Sequence, residues 1–282
     1  MRASSVCRLA TRKSPLAMCQ AETVAALIRK RMKIDVQLIP MSTTGDQKVD
    51  WSLQDKGGKG LFTKELEHAL LEDRADLAVH SAKDMPTDMP NGLALAAFLE
   101  REDARDLLVL RHNIQTPVSL ASGSPRRVAQ LNSRFPEIKW MELRGNVETR
   151  LRKISEDHQA DGTVIAAAGL NRLGISEFPG LTFELLAPSE MVPAPGQGAI
   201  AVQTRISDKD VFAMLGHSET EKAVSFERKL LDSLGGGCQV ALGVYLNHNF
   251  LNFFHEKTGI LQFNLNESSE EELVEDLKRR IK

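Results

Sequence analysis

Cysteine is scarce in this chain. Its 282 residues include three cysteines, Cys7, Cys19 and Cys238, which lie far apart, form no CxxC pair and leave one thiol over. A disulfide framework needs paired thiols and a structural zinc site needs closely spaced ligands, so the sequence predicts neither. The small number of cysteines is consistent with a reducing compartment, and we therefore expect a cytoplasmic protein.

Long apolar runs and an excess of charge are lacking too. No segment approaches the roughly 20 apolar residues of a membrane span, and the basic stretch 1–18 has no uninterrupted apolar core like that of a secretory signal. The formal net charge is −2, which gives no general attraction to nucleic acid or to anionic membranes. We therefore expect no nucleic-acid and no membrane partner, and a monomer that acts on a small molecule.

The common signatures of metal and nucleotide sites are missing as well. The seven histidines show neither HExxH nor Cys/His ligand spacing, so no metal site is predicted. The loops GGKG and PGQGA do not match GxxxxGK(S/T), and no GxGxxG opens a helix after a strand. Two explanations of these loops are equally good. Each loop is either a plain turn or a flexible segment that brings backbone amides or Lys59 to a ligand.

The sequence does contain a regular alternation of strand-like and helix-like segments. The first third shows strand RLAT, helix LAMCQAETVAALIRKR, strand VQLIPM, helix TKELEHALLED and strand ADLAVH, and a similar series follows REDARD. From about residue 217 come a long helix, a glycine run, three short strands and a closing helix. This pattern predicts an α/β fold of two domains with mostly parallel sheets, plus a small C-terminal α+β domain with an antiparallel sheet.

One strand runs directly into polar residues. In ADLAVHSAKDMP the apolar run is followed by Ser81, Lys83 and Asp84. Ligand sites of α/β proteins lie at the carboxyl ends of parallel strands, which favours a binding site here. The alternative is a turn that Ser81 and Asp84 cap, with Lys83 in solvent.

Arginines recur in the loops and helix starts that follow strands. They are Arg8, Arg12, Arg126, Arg127, Arg144, Arg150 and Arg172, of which Arg8 and Arg12 flank the end of the first strand. The pair Arg126 and Arg127 begins a helix, where the helix dipole favours acidic residues instead. A bound anion would explain such a pair, because guanidinium groups and helix amides both donate to carboxylates and phosphates. The alternative for any one of these arginines is a solvated basic surface.

Three glycines stand directly before Cys238, in LGGGCQV. A helix C-cap followed by a buried thiol accounts for this stretch. The glycines would equally give room to a bulky group bound at a reactive thiol, since they place no side chains around it.

These stretches together resemble one family. In chain order, RLATRKSPLA, GGKGLFTKELEHALLEDRADLAVHSAKDMP, LEREDARD, SPRR, LRGNVETRL, AAGLNRLG, VPAPGQGA and LGGGCQV are similar to segments of the porphobilinogen deaminases, also called hydroxymethylbilane synthases. They span residues 8–240. VHSAKDMP, RGNVETR and GGGCQV in this order are the most specific of them.

The resemblance implies a cytoplasmic transferase of tetrapyrrole (heme) biosynthesis. Such an enzyme joins four porphobilinogen molecules head to tail, releases ammonia and yields hydroxymethylbilane. The chain grows on a dipyrromethane cofactor, which the resemblance places on Cys238 through a thioether. The implied catalytic residue is Asp84, whose carboxylate would stabilise positive charge on the pyrroles.

The resemblance also implies the other site residues and the domain limits. Cofactor contacts are implied for Ser81, Lys83, Ser124, Arg126, Arg127, Gly145 and Arg150, and substrate contacts for Arg12, Ser14, Lys59, Arg144, Arg150, Arg172 and Gln197. Two periplasmic-binding-protein-like domains with mixed sheets are implied, 1–99 plus 196–216 and 100–195, followed by a third, 217–282, that carries the cysteine.

The chain departs from the family pattern at a few positions. Asp55 stands where a lysine is common before GGKG, and Gly123 and Pro125 interrupt a run that is usually richer in serine. Pro125 suits a first helical position, so the helix should still form there. The remaining alternative is a protein of the same architecture that binds an anion and performs no chemistry.

Overall fold

The computed structural model describes residues 6–47, 60–235, 240–267 and 269–281. Its strands are β1 Val6–Arg12, β2 Asp35–Met41, β3 Leu77–Ser81, β4 Leu93–Phe98, β5 Asp106–Arg111, β6 Ser119–Ala121, β7 Lys139–Met141, β8 Gly162–Ala166, β9 Leu181–Leu185, β10 Ile200–Arg205, β11 Leu242–Asn247, β12 Phe250–His255 and β13 Gly259–Asn264. The helices are α1 Pro15–Met32, α2 Thr44–Gln47, α3 Lys64–Leu71, α4 Pro125–Arg134, α5 Val147–Ser155, α6 Ala167–Arg172, α7 Lys209–Ala213, α8 Ser218–Ser233 and α9 Glu270–Ile281.

Two five-stranded mixed sheets share one topology. The first has the order β2-β1-β3-β10-β4 and the second β7-β6-β8-β5-β9. In each, the first three strands are parallel, and the fourth runs antiparallel to both of its neighbours. The predicted α/β class is thereby confirmed, and β10, which follows PGQGA, lies in the first sheet. The domain limits inferred from the resemblance stay a prediction.

The core of the first sheet follows from the alternation in its sequence. Cys7 and Leu9 of β1 are fully buried against Val24 and Ile28 of α1. Helix α1 begins where Ser14 accepts a hydrogen bond from the Ala17 amide, with Pro15 in its first turn. The N-terminal end of α1 therefore stands beside the carboxyl end of β1, next to the cavity described below.

A third, antiparallel sheet contains β11, β12 and β13 in that order. Helices α8 and α9 pack on it around Leu230, Phe253 and Leu277, which are all buried. This is the small α+β unit that the sequence predicts after residue 217. Helix α8 leads directly towards the glycine run and Cys238.

Two crossover segments, residues 99–105 between β4 and β5 and residues 186–199 between β9 and β10, connect the large sheets and touch each other. The amide of Glu102 donates to the Gly198 carbonyl at 3.1 Å. Gly198 has a φ of +89°, and a Cβ there would meet the Glu102 oxygen at 2.4 Å. Only glycine fits such a left-handed position at this distance, which explains the last glycine of PGQG.

One buried carboxylate ties the small unit to both crossovers. Glu227 of α8 is fully buried and accepts from Arg101 Nη1 at 2.7 Å and from the Gly196 amide at 2.7 Å. The Leu246 amide of β11 donates to Glu227 Oε1 at 2.8 Å. A buried charge with so many partners fixes the position of α8 relative to the crossovers.

His80 makes stability depend on pH. It lies buried in β3, with Nε2 3.0 Å from Gln203 Oε1, and burial lowers its pKa from an ordinary 6.5 to about 4. Between pH 6.5 and 4 the unfolded chain therefore binds more protons than the folded chain, so stability falls as the pH drops through this window. We expect His80 to contribute on the order of 3 kcal/mol to that loss by pH 4.

The measurement is urea unfolding at pH 7.5 and pH 4.5. The variant His80→Gln should lose clearly less unfolding free energy on acidification than the wild type, whereas His68→Gln, on the exposed face of α3, should match the wild type. Equal acid sensitivity of His80→Gln and the wild type would show that the buried imidazole does not set this dependence.

Candidate active site

A cavity of about 870 Å³ lies between the two large sheets. Its walls come from the carboxyl ends of β1, β3 and β8, from the N-terminal turns of α4 and α5, and from the crossover segment that precedes β10. Leu231, Val240 and Leu242 of the small unit complete the wall. Parallel strands of both sheets thus end at one space, which is the usual position of a ligand site in α/β proteins.

Every predicted site residue that the structure describes lines this cavity. These are Arg12, Ser14, Ser81, Lys83, Asp84, Ser124, Arg126, Arg127, Arg144, Gly145, Arg150, Arg172 and Gln197. Lys59 and Cys238 lie outside the described residues. Val240, two positions after Cys238 in the sequence, is part of the wall.

The cavity is strongly cationic. Among the residues that the structure describes, eight lysine and arginine side chains line it, against two carboxylates, Asp46 and Asp84. Burial and the nearby Arg127 lower the pKa of Lys83 to about 8. Burial, together with Arg127 and Arg144, lowers the pKa of Arg150 to about 10. Positive charges that lie close together repel one another, and a bound anionic ligand reduces this repulsion. The arrangement therefore indicates an anion-binding site.

The paired arginines at the start of α4 share an internal carboxylate. Arg126 Nη1 lies 2.8 Å from Asp106 Oδ2, and Arg127 Nη2 donates to Asp106 Oδ1 at 2.7 Å. Burial raises the pKa of Asp106, but the two arginines outweigh it and hold the pKa far below its ordinary value. The sequence predicts a bound anion at this pair, and the Asp106 carboxylate of the protein itself supplies part of that negative charge. Both guanidinium groups nevertheless line the cavity.

Asp106 also fixes other groups of this wall. Gln197 Nε2 donates to the Ala104 carbonyl at 2.6 Å and to Asp106 Oδ1 at 3.1 Å. Arg127 Nη1 donates to the Val164 carbonyl at 2.9 Å. Sequence reasoning missed Asp106, whose signal was an acidic residue at the first position of the apolar strand DLLVL.

The hydroxyl groups at the cavity differ in how they are held. Ser81 accepts from Gln20 Nε2 at 2.9 Å, a partner that the sequence did not indicate. Ser124 precedes α4, and its side chain makes no capping hydrogen bond there. The Ser124 hydroxyl can therefore donate to a ligand, whereas the Ser14 oxygen also caps α1.

Asp84 ends a 3₁₀ turn, Ala82–Asp84, that continues directly from β3. Within the part of the chain that the structure describes, no hydrogen bond joins its carboxylate to another residue. Its negative charge raises the pKa of Lys83 and of Arg150 against the effect of burial, so it stands among these cations. A carboxylate with open acceptor positions can receive N–H groups from a ligand.

Comparison with known families agrees with this geometry. Residues 7–213 match the family model described as porphobilinogen deaminase, dipyromethane cofactor binding domain. The chain belongs to the porphobilinogen deaminase family. It is 47% identical over 246 residues to the porphobilinogen deaminase of Chromobacterium violaceum, covering 84% of this chain and 78% of that protein. With the enzyme of Albidiferax ferrireducens the identity is 45% over 249 residues, or 86% and 78% of the two chains.

Solved structures of other proteins match at low identity. The Bordetella pertussis BvgS periplasmic VFT2 domain is 17% identical, with a TM-score of 0.46 over 78% of this chain and 92% of that chain. The substrate binding protein of an amino acid ABC transporter is 14% identical, with a TM-score of 0.41 over 80% and 97%. Membership of the porphobilinogen deaminase family does not depend on these likenesses.

The residues at the cavity fit the cofactor that the family model names. A dipyrromethane with acetate and propionate side chains presents carboxylates and pyrrole N–H groups. The lysine and arginine side chains at the cavity can form ion pairs with these carboxylates, and the open acceptor positions of Asp84 can accept hydrogen bonds from the N–H groups. Among the described residues no group of three or more His, Cys, Asp or Glu side chains is placed to hold a metal ion, and no helix is long and apolar enough to cross a membrane.

Proposed function

We propose that this chain joins four porphobilinogen molecules head to tail on a dipyrromethane carried by Cys238, and releases hydroxymethylbilane and ammonia. The observation that carries the proposal is one cavity that, among the described residues, is lined by eight lysine and arginine side chains, by the open carboxylate of Asp84 and by Val240, two positions after Cys238 in the sequence. A monomeric state and a cytoplasmic location belong to the same proposal.

The cations serve to hold a growing polyanion. Each pyrrole ring brings two carboxylates, so the chain accumulates negative charge as it lengthens. Arg126, Arg127, Arg150 and Lys83 would bind the cofactor carboxylates, together with the hydroxyls of Ser81 and Ser124 and the amide of Gly145. Each charge-assisted hydrogen bond contributes about 1.5–3 kcal/mol, so several of them retain the chain through repeated cycles.

The substrate would be bound by a second set of side chains. This set comprises Arg12, Ser14, Lys59, Arg144, Arg150, Arg172 and Gln197. Arg172 is held by a hydrogen bond from Nη2 to the Gly198 carbonyl at 2.7 Å, so it belongs to the wall at the crossover. When bound, the cofactor supplies the first pyrrole to which substrate is added.

Asp84 would act on the charge that forms during the reaction. Loss of ammonia from porphobilinogen leaves a cationic pyrrole, and a carboxylate that accepts the pyrrole N–H stabilises this cation. The same carboxylate can accept a proton once the new bond has formed. Lys83 and Arg150 interact electrostatically with this carboxylate, so Asp84 acts within a cluster of charged side chains.

The alternative, an anion-binding protein without chemistry, uses the same arginines. It gives no reason for an open carboxylate within a site that binds carboxylates, because Asp84 would only weaken such a ligand. It also gives no role to the cysteine that follows the glycine run in the sequence. The two functions therefore differ in one measurable property, the covalent attachment of pyrroles.

The test is the denatured intact mass of the purified protein and of Cys238→Ser, each before and after incubation with porphobilinogen. We expect a mass excess equal to two linked pyrrole units on the wild type and the bare chain mass for Cys238→Ser. Cys19→Ser is the matched control and should carry the same adduct as the wild type. A bare wild-type mass after incubation, with no ammonia released, would overturn the proposal.

A further inference from the structure

A second carboxylate, that of Asp46, lines the cavity and has no role in the proposed reaction. It belongs to α2 and is bound by Arg12, a proposed substrate ligand. Arg12 Nε donates to Asp46 Oδ2 at 3.2 Å, while Nη2 donates to Oδ1. The Arg12–Asp46 pair as a whole carries little net charge, so Asp46 offsets the attraction of Arg12 for an anionic ligand.

The surroundings hold this ion pair firmly in place. The Asp46 carboxylate accepts from the Thr43 hydroxyl at 2.7 Å and from the Thr43 amide at 3.1 Å. The Arg12 guanidinium lies over the Phe62 ring, 4.3 Å from its centre. A Cβ at Gly45 would meet the Phe62 ring at 2.3 Å, so this glycine gives the ring its position.

The pair determines which edge of Arg12 a ligand can meet. Nε and Nη2 are occupied by Asp46, and within the described residues Nη1 has no hydrogen-bond partner. Arginine side chains otherwise carry about 2 kcal/mol of rotamer entropy, which a ligand would have to remove on binding. An arginine that is already fixed binds with less loss.

We propose that Asp46 is a positioning residue, which fixes Arg12 so that its Nη1 edge receives one carboxylate of the incoming porphobilinogen. The inference rests on the proposed function. It assigns Asp46 no contact with the substrate, so its loss should weaken substrate binding and leave the chemical step largely intact.

The experiment compares Asp46→Asn with Asp76→Asn. Asp76 binds Arg8 in the same bidentate way, Nε at 3.2 Å and Nη2 at 2.9 Å, at the other end of β1 and away from the cavity. Both variants lose a half-buried arginine–aspartate pair of one strand, so they should lose similar stability. Only Asp46→Asn should raise the KM for porphobilinogen, by about tenfold, with kcat within about twofold of the wild type.

A second measurement follows the chemical accessibility of the Arg12 side chain and does not depend on enzyme turnover. The rate at which phenylglyoxal modifies Arg12, followed by peptide mass mapping, should rise several-fold in Asp46→Asn and stay at the wild-type rate in Asp76→Asn. Asp46→Glu, which can still form an ion pair, should restore part of both the KM and the protection.

The outcomes separate the two proposals. A wild type that carries no pyrroles and releases no ammonia would contradict the proposed function. If the wild type is active and Asp46→Asn has an unchanged or lower KM, Asp46 is a competitor of the substrate or a bystander, and the positioning role is wrong. A similar rise of the KM in Asp76→Asn would likewise overturn it, because the effect would then be general to β1.

Discussion

Replacing Asp84 by alanine is expected to lower the rate of ammonia release from porphobilinogen by about a hundredfold to a thousandfold. Of the two carboxylates that line the cavity within the described residues, Asp46 is bound to Arg12, so alanine at position 84 removes the one that makes no hydrogen bond there. The cationic pyrrole then forms among cations with no opposing charge. The effect should fall on kcat, since Asp84 acts on charge that is absent from the bound substrate.

Two further variants distinguish charge from reach. Asp84→Asn keeps the shape and loses the charge, so it should be nearly as slow as the alanine variant. Asp84→Glu keeps the charge on a longer arm and should retain more activity than either. The intact mass of each variant, taken before a single-turnover assay, separates a protein without cofactor from a loaded but slow enzyme. A loaded Asp84→Ala protein with kcat within about fivefold of the wild type would exclude Asp84 from catalysis.

The sequence predicted those features of the site that depend on strand ends. Ser81, Lys83 and Asp84 follow an apolar strand, and the carboxyl ends of parallel strands converge by geometry, so these residues reach the cavity. The same rule brings Arg12 there from β1. Residue periodicity could also place the small C-terminal sheet, because its three strands are consecutive and joined by short turns.

The partners of these residues could not be predicted. Asp106 binds arginines about 20 positions later, and Asp46 binds Arg12 across 34 positions. Periodicity shows which face of a strand is buried, but it does not show which side chain of another element meets it. The placement of β10 in the first sheet likewise required the resemblance, since an apolar strand fits either sheet. The partners in the buried ion pairs therefore became known only from the structure, and the sheet to which β10 belongs could not be derived from periodicity.

The second large effect is expected on stability, from the loss of the carboxylate of Asp106. Asp106 is fully buried, and the side chains of Arg126 and Arg127 are 5% and 8% exposed. Removing one partner of a buried charge network leaves the others desolvated without compensation, which costs about 3–5 kcal/mol. We expect Asp106→Ala to lose that amount of unfolding free energy in urea, and Asp106→Asn, which keeps one acceptor oxygen, to lose less.

A surface pair of the same helix supplies the control. Arg134 of α4 binds Glu184 at 2.8 Å with both side chains more than 40% exposed, so Glu184→Gln should change the stability by less than about 1 kcal/mol. A loss in Asp106→Ala no larger than in Glu184→Gln would show that the two buried arginines do not depend on this carboxylate.

The bound cofactor should reduce the cost of losing Asp106. Arg126 and Arg127 face Asp106 on one side and line the cavity on the other, so carboxylates in the cavity can neutralise the same guanidinium groups. The covalent cofactor stays attached when the chain unfolds, but its carboxylates can meet the two guanidinium groups only in the folded state, and these contacts stabilise that state. Asp106→Ala should therefore lose less stability with the pyrroles attached than in a Cys238→Ser background, where they are absent. Equal losses in the two backgrounds would place the cofactor carboxylates away from Arg126 and Arg127.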